Sequence, residues 1–328
     1  MRTLVTGGAG FIGSHLVDRL IGRHEEVTVL DDLSTGTRAN LAHHLESDRV
    51  RLVRGTILDE SAVEDLVSDC DRVFHLAAAV GVAHVVAEPL QSVLVNSRGT
   101  ENVLAACAHH GRKVLIASSS EVYGKPSQVP THEDDDRILG STTVQRWSYA
   151  TAKALDEHLA LAYAQRGLHT VIVRYFNIYG PRMDPRGYGS VIANFLRQAT
   201  SGEPLTVYGD GRQTRCFTYI DDCVEGTILA METDSAEGQV FNIGNQATET
   251  SITELARMVN GATGSQGPIE HHTYEARFGA GFEDVRRRVP ATERATEVLG
   301  WTATTGLSEG LRRTLEAWSH VSAGQALP

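Results

Sequence analysis

The run Gly7-Gly8-Ala9-Gly10-Phe11-Ile12-Gly13, set directly behind the apolar stretch Thr3–Thr6, restricts the fold of this chain more than any other segment. A strand, a glycine turn and a helix opening near Phe11 and Ile12 form the first half of a βαβ unit. Gly7 permits the tight turn, Gly10 lets the backbone approach a pyrophosphate, and Gly13 allows close helix packing. The helix amino terminus then faces the diphosphate. Glycine spacing alone is a weak signal. Here it sits in the required strand–turn–helix context, and Val27-Thr-Val-Leu30 ends in Asp31, where a carboxylate meets ribose hydroxyls and repels a 2′-phosphate. No arginine directly follows Asp31, Arg38 being the nearest downstream, so the expected cofactor is NAD rather than NADP. Asp32, Ser34, Thr35 and Gly36 are read as further cofactor contacts, with a plain turn as the alternative.

The first half alternates short β-rich runs with amphipathic helices, as in a parallel sheet covered on both faces. Strands are expected near Thr3–Thr6, Val27–Leu30, Arg51–Val53, Arg72–His75, Val114–Ala117 and Thr170–Val173. Helices are expected at Phe11–Ile21, Ser61–Val67, Pro89–His109 and Ser148–Gln165. Beyond Arg174 the pattern changes. Gly, Pro and Arg cluster at Tyr179–Tyr188, and helix-like stretches follow at Val191–Thr200 and Asp221–Met231. Short strands are read at Leu205–Val207 and Gln239–Asn242. The fold class is therefore α/β, a Rossmann doubly wound parallel sheet with a smaller carboxy-terminal α/β substrate-binding lobe. Residues 1–175 form the cofactor domain and 176–328 the lobe, with the sheet open to borrowing a strand from the second half. The tail after His320 is expected to fray.

Two further segments carry chemistry. Ser118-Ser119-Ser120-Glu121-Val122-Tyr123-Gly124 leaves the carboxyl end of a buried strand, where open α/β sheets bind ligands. Tyr149 and Lys153 lie four apart at a helix start, on one helical face. A tyrosine with an ordinary pKa of about 10 is a poor base at neutral pH. A nearby lysine cation favours the phenolate, and a hydroxyl on the neighbouring strand end shares the moving proton. Either segment alone matches ordinary polar surface; together, behind a dinucleotide signature, they point to oxidation of an alcohol.

The net charge of -11 argues against a nucleic-acid surface, though not against a small anionic ligand. Cys70, Cys107, Cys216 and Cys223 have neither CxxC nor zinc spacing and read as reduced and cytoplasmic. No apolar run reaches membrane-spanning length, and the strand starting at Arg2 leaves no room for a signal peptide. The pairs His43-His44, His109-His110 and His271-His272 are adjacent residues, expected to diverge on the surface, and Asp134-Asp135-Asp136 reads as a solvated loop; no metal site is expected.

With these residues in view, the chain resembles the extended short-chain dehydrogenase/reductases that modify nucleotide sugars, from Thr6-Gly7 to Leu299-Gly-Trp301. The resemblance implies tightly bound NAD, a UDP-sugar substrate, and a homodimer through a four-helix bundle of Pro89–His109 and Ser148–Gln165. By the same resemblance Thr56 and Ile57 meet adenine, although many relatives carry Asp at the position of Thr56. Leu76, Ala77, Ala78, Asn96 and Tyr175 lie beside the cofactor. Ser119 is the catalytic hydroxyl, Tyr149 the base and Lys153 its activator. Ser120, Asn177, Val191, Asn194, Leu205, Thr206, Tyr208, Arg215 and Arg288 hold the substrate. For Arg288, a solvated run Arg286-Arg287-Arg288 is the alternative.

Members of this group first oxidise carbon 4 of the sugar, and the neighbours of the base decide the fate of the 4-keto sugar. Ser120-Glu121, with Gly202-Glu-Pro-Leu-Thr-Val-Tyr208 and Gln213-Thr-Arg215, is most similar to the UDP-glucuronate decarboxylases (UDP-xylose synthases). Glu121 and Arg215 then join the catalytic set. Glu121 supports ring distortion or acid–base chemistry at carbon 5, or is a structural partner at the strand end. Arg215 orients the carboxylate or the diphosphate. The alternatives are a UDP-sugar 4-epimerase, with which Gly180–Tyr188 shares a flavour, then a 4,6-dehydratase. A catalytically silent NAD-sensing protein is the non-enzyme reading.

Overall fold

A computed structural model describes residues 1–80, 88–184, 190–275 and 283–322, with side chains up to residue 318. Seven parallel strands form the central sheet: β1 (Arg2–Thr6), β2 (Glu26–Asp31), β3 (Val50–Arg54), β4 (Arg72–His75), β5 (Lys113–Ser119), β6 (Thr170–Tyr175) and β7 (Val240–Ile243). Their order is β7-β6-β5-β4-β1-β2-β3. The order reverses between β1 and β4, and that switch point opens a crevice at the carboxyl ends of the strands. Strand β7 comes from the second half of the chain and pairs in parallel with β6, Val240 opposite Ile172. β4, β5 and β6 are buried almost throughout, as expected of strands covered on both faces.

The helices that frame the site are α1 (Phe11–Gly22), α2 (Glu60–Ser68), α3 (Pro89–His110) and α4 (Arg146–Ala164). Helix α3 starts at Pro89, whose fixed φ and missing N–H suit a first helical turn, and ends at Gly111 with φ 63°. In the second half come α5 (Val191–Thr200), α6 (Ile220–Glu232), α7 (Ile252–Thr263), α8 (Glu293–Leu299) and α9 (Leu307–Ser322). Ser190 caps α5 through Ala193 N, and Ser251 caps α7 through Glu254 N, half of a capping box. Short two-residue strands and the parallel pair Leu205–Tyr208 with Ile269–His272 complete this half. The largest apolar cluster runs from Val5 through Phe195 and Phe217 to Trp301 and Trp318, so both halves share one core.

All four cysteines are free and buried. Among the described residues, no helix is long and apolar enough to cross a membrane. Residues 185–188 of the Gly180–Tyr188 stretch, and 323–328 of the expected frayed tail, lie outside the described residues. Two of the three histidine pairs depart from expectation. His43 and His44 both reach Asp18, and His109 and His110 both reach Glu64. The first pair sits in an irregular turn and the second at a helix end, where the divergence of regular elements does not apply.

Candidate active site

The crevice is a cleft of about 1730 Å³. That exceeds the roughly 300–1,000 Å³ of a single small-molecule pocket and leaves room for two extended ligands. Its floor is the glycine turn. Gly7 has φ 71°, and a Cβ there would lie 2.7 Å from Ala77 N; at Gly13 a Cβ would lie 2.2 Å from Gly7 O. Neither position accepts a side chain. Gly10 precedes the first turn of α1 with no side-chain cap and no acidic residue in that turn. The open N–H groups therefore present a cradle for a diphosphate.

Asp31, at the end of β2, accepts from Ala9 N at 2.9 Å and Leu33 N at 2.8 Å. Burial raises its pKa against the pull of these two N–H donors. It thus ties the glycine turn to the following loop while still lining the cleft. All the residues expected at the cofactor line this cleft except Asn96. Asn96 is buried and clasps the backbone of Ala79 through both its amide groups, so it shapes the wall from behind.

The chemical end of the cleft is built by β5 and α4. Ser119 ends β5 and caps the short turn Ser120–Tyr123, accepting from Glu121 N at 3.2 Å. Ser118, Glu157 and Arg174 lock β5, α4 and β6 together. Ser118 donates to Glu157 at 2.5 Å, and Arg174 forms a fork to the same carboxylate at 2.9 and 2.6 Å. Tyr149 sits in the first turn of α4 and hydrogen-bonds Ser119. Burial, then the charges of Glu121 and Asp156, raise the Tyr149 pKa, with the Ser119 bond opposing.

Lys153 lines the cleft with Tyr149 and is paired within its own helix, its Nζ donating to Asp156 Oδ2 at 3.2 Å. Asp156 is completely buried, and burial pushes its carboxyl up to about 6 against the attraction of Lys153. Behind it, Thr100 bonds His75 Nε2 at 3.0 Å, and His75 Nδ1 meets Thr6 Oγ1 at 2.7 Å. Burial and the Lys153 charge push His75 down to about 3, so that imidazole is neutral.

Glu121 faces two guanidiniums. Arg288 Nη1 donates to its Oε1 at 2.8 Å, and Arg146 Nη2 lies 3.5 Å from Oε2. Burial opposes its ionisation, yet Arg288 and Arg146 outweigh that and bring the carboxyl down to about 2. Of the roles expected for Glu121, these contacts favour the structural partner at the strand end. A group ionised throughout the neutral range donates no proton and instead holds arginines in place. Arg288 is buried, lines the cleft, and leaves Nε and Nη2 without a hydrogen-bond partner.

Arg215 is placed differently from expectation. It is buried, bonds Asp284 at 2.9 Å and Thr214 O at 2.8 Å, and does not line the cleft; its charge acts on Glu121 from behind. Ser120 and Asn177 line the cleft, whereas Val191, Asn194, Leu205, Thr206 and Tyr208 do not. Leu205 is wholly buried in the core, Thr206 is held by Gln198, and Tyr208 packs near Tyr274. Sequence reasoning missed Arg146, Asp156 and Asp284. Arg146, one helical turn before Tyr149, carried a usable i, i+3 signal; Asp284 carried none.

Known proteins share this fold. Residues 3–244 match the family model described as "NAD dependent epimerase/dehydratase family". A UDP-N-acetyl-alpha-D-glucosaminuronate decarboxylase of Bacillus cytotoxicus is 42% identical over 315 residues, 96% of this chain and 97% of that protein. UDP-glucuronic acid decarboxylase 1 of Arabidopsis thaliana is 38% identical over 316 residues, 95% of this chain and 68% of that protein. The crystal structure of a UDP-glucuronic acid 4-epimerase from Bacillus cereus, in complex with UDP-glucuronic acid and NAD, superposes with a TM-score of 0.87. It is 32% identical and covers 98% of this chain and 100% of its own.

Proposed function

The chain belongs to the NAD-dependent epimerase/dehydratase family, and on that premise we propose that it is an NAD-dependent UDP-glucuronate decarboxylase giving UDP-4-keto-pentose, UDP-xylose or both. The observation that carries this reading is Arg288. A buried guanidinium whose Nε and Nη2 have no partner in the protein, in the cleft wall and bonded to Glu121, suits a planar anion such as a sugar carboxylate. Around it, Arg146, Arg215 and Arg288 oppose Glu121 and Asp284, three cations against two anions. One more negative charge balances the group.

The glycine turn, the amino terminus of α1 and Asp31 would hold NAD, which supplies a hydride acceptor for carbon 4 of the sugar. Tyr149 takes the proton of the 4-hydroxyl, and Ser119 orients that hydroxyl. The resulting ketone stands β to the carboxylate, so the carbon 5–carbon 6 bond breaks with loss of carbon dioxide. The ketone takes up the electron pair as an enolate, which is protonated at carbon 5 by water. Where carbon 4 then receives its hydride back, Tyr149 returns its proton and UDP-xylose results; where the ketone leaves first, the product is UDP-4-keto-pentose. Arg288 orients the carboxylate before that step; Glu121 keeps Arg288 in place. In this reading residues 1–175 bind the cofactor and 176–328 the nucleotide sugar, the setting is cytoplasmic, and two copies pair through α3 and α4.

Incubation with UDP-glucuronate, following carbon dioxide and nucleotide-sugar mass, tests the proposal. Mass loss is expected. Interconversion of UDP-glucuronate and UDP-galacturonate without mass loss would instead make the chain an epimerase. The Bacillus cytotoxicus relative favours a second reading, in which the hexuronate carries a 2-acetamido group. Faster loss of carbon dioxide from UDP-N-acetylglucosaminuronate in the same assay selects it.

A further inference from the structure

Two surface clusters outside the reaction site repeat one arrangement, adjacent histidines turned onto one carboxylate. Nε2 of His43 and of His44 lie 3.1 and 2.8 Å from the same oxygen, Asp18 Oδ1, with ring centroids 4.0 Å apart. His109 Nδ1 and His110 Nε2 lie 3.2 and 2.7 Å from Glu64 Oε1. Among the described residues, these are the groups in which three such ligand atoms all fall within 4.8 Å of one another.

The first cluster is the better built. The side chains of His44 and Asp18 are 17% and 30% exposed, whereas in the second cluster His109 is 73% exposed. Arg182 grips the other oxygen of Asp18 at 2.8 Å, which leaves Oδ1 facing the imidazoles. Both rings present the same nitrogen. Without an ion, one oxygen must accept from both Nε2–H groups. With an ion, each neutral ring carries its proton on Nδ1 and turns the Nε2 lone pair inward.

Two imidazole nitrogens and a carboxylate oxygen suit zinc and its neighbours among the divalent transition metals. Ligand atoms about 2.0–2.1 Å from a tetrahedral ion stand roughly 3.3 Å apart. The two nitrogen–oxygen separations, 2.8 and 3.1 Å, need only a small outward adjustment, and the two nitrogens lie within 4.8 Å of each other. We propose that Asp18, His43 and His44 bind a divalent transition-metal ion of the zinc type, with water completing its coordination. The guanidinium of Arg182 opposes the cation, which sets the affinity below that of cysteine-rich structural zinc sites. His43 also lines the cleft beside Asn40, so the ion ties α1 to the wall of the cofactor end.

The test is calorimetric titration of the untagged, chelator-treated full chain with zinc chloride. His43→Gln/His44→Gln is compared with His109→Gln/His110→Gln, and circular dichroism melts in chelator check that both fold. The wild-type chain is expected to take up zinc at a site that the first variant weakens by at least about tenfold and the second leaves intact. Zinc is also expected to raise the melting temperature of the wild type but not of the first variant. Should that variant fail to fold, Asp18→Asn replaces it. No zinc uptake by the wild type, equal uptake by His43→Gln/His44→Gln, or loss of the site in His109→Gln/His110→Gln overturns the assignment.

Discussion

Tyr149 has burial and two carboxylates against its ionisation, and its assigned activator is bonded to one of those carboxylates. Asp156 is therefore a positioning residue with an electrostatic consequence. Above a pH of about 6 its carboxylate is ionised, holds Lys153, and disfavours the phenolate; as the pH falls through that value the field disappears. The charged neighbours acting on it are Lys153 and Glu157 of its own helix, while Thr100 and neutral His75 come from α3 and β4. Asp156→Asn mimics the neutral form at every pH. It is expected to move the ascending limb of the kcat–pH profile to lower pH, an effect that simple loosening of the helix does not produce. An unmoved limb sinks the idea. Tyr149→Phe is expected to lower kcat by about 10²–10⁴ while NAD binding persists; near-normal turnover would remove Tyr149 from the mechanism. The segments around Ser119 and Tyr149 were legible in the sequence because each role is set by a neighbouring strand end or helix turn. The Arg288–Glu121 contact was not, since it joins residues far apart in the chain.

Elements with local signals were readable to within a few residues. Short apolar strand runs, the glycine turn and the amphipathic helix stretches depend on neighbours in sequence. The two-residue strands were not readable, because their partners are distant: Arg287–Arg288 pairs with Thr214–Arg215. That pairing also explains the arginine run. Strand alternation buries Arg288, while Arg287 meets Glu249 and Arg286 meets Asp210 at the surface. The glycine turn gives a prediction at this scale. A methyl group at Gly13 would meet Gly7 O at 2.2 Å and Gly8 Cα at 2.7 Å, backbone atoms that cannot turn aside. Gly13→Ala is expected to destabilise the fold by about 1–3 kcal/mol and to weaken NAD binding. Calorimetric melting with and without NAD checks both; an unchanged response to NAD would mean that the turn is not the diphosphate cradle.

Across the whole molecule, sheet order places the cofactor end and the chemical end on one crevice, lined from both halves of the chain. What the crevice leaves unexplained is apolar surface elsewhere. Leu90, Val93 and Leu94 on α3 are 72%, 36% and 40% exposed, and Leu155 on α4 is 45% exposed. Helices α3 and α4 pack against each other, so these side chains stand on neighbouring helices. Burying such a patch against a second copy removes it from water at about 25 cal/mol per Å² and makes a self-complementary two-fold contact. Leu90→Glu with Leu155→Glu places like charges in that contact. The expected outcome is a dimer for the wild type and a monomer for the variant in sedimentation velocity, with the circular dichroism spectrum retained. NAD binding should survive, because neither Leu90 nor Leu155 lines the cleft. A wild type that sediments as a monomer, or a double variant that still dimerises, refutes pairing through α3 and α4.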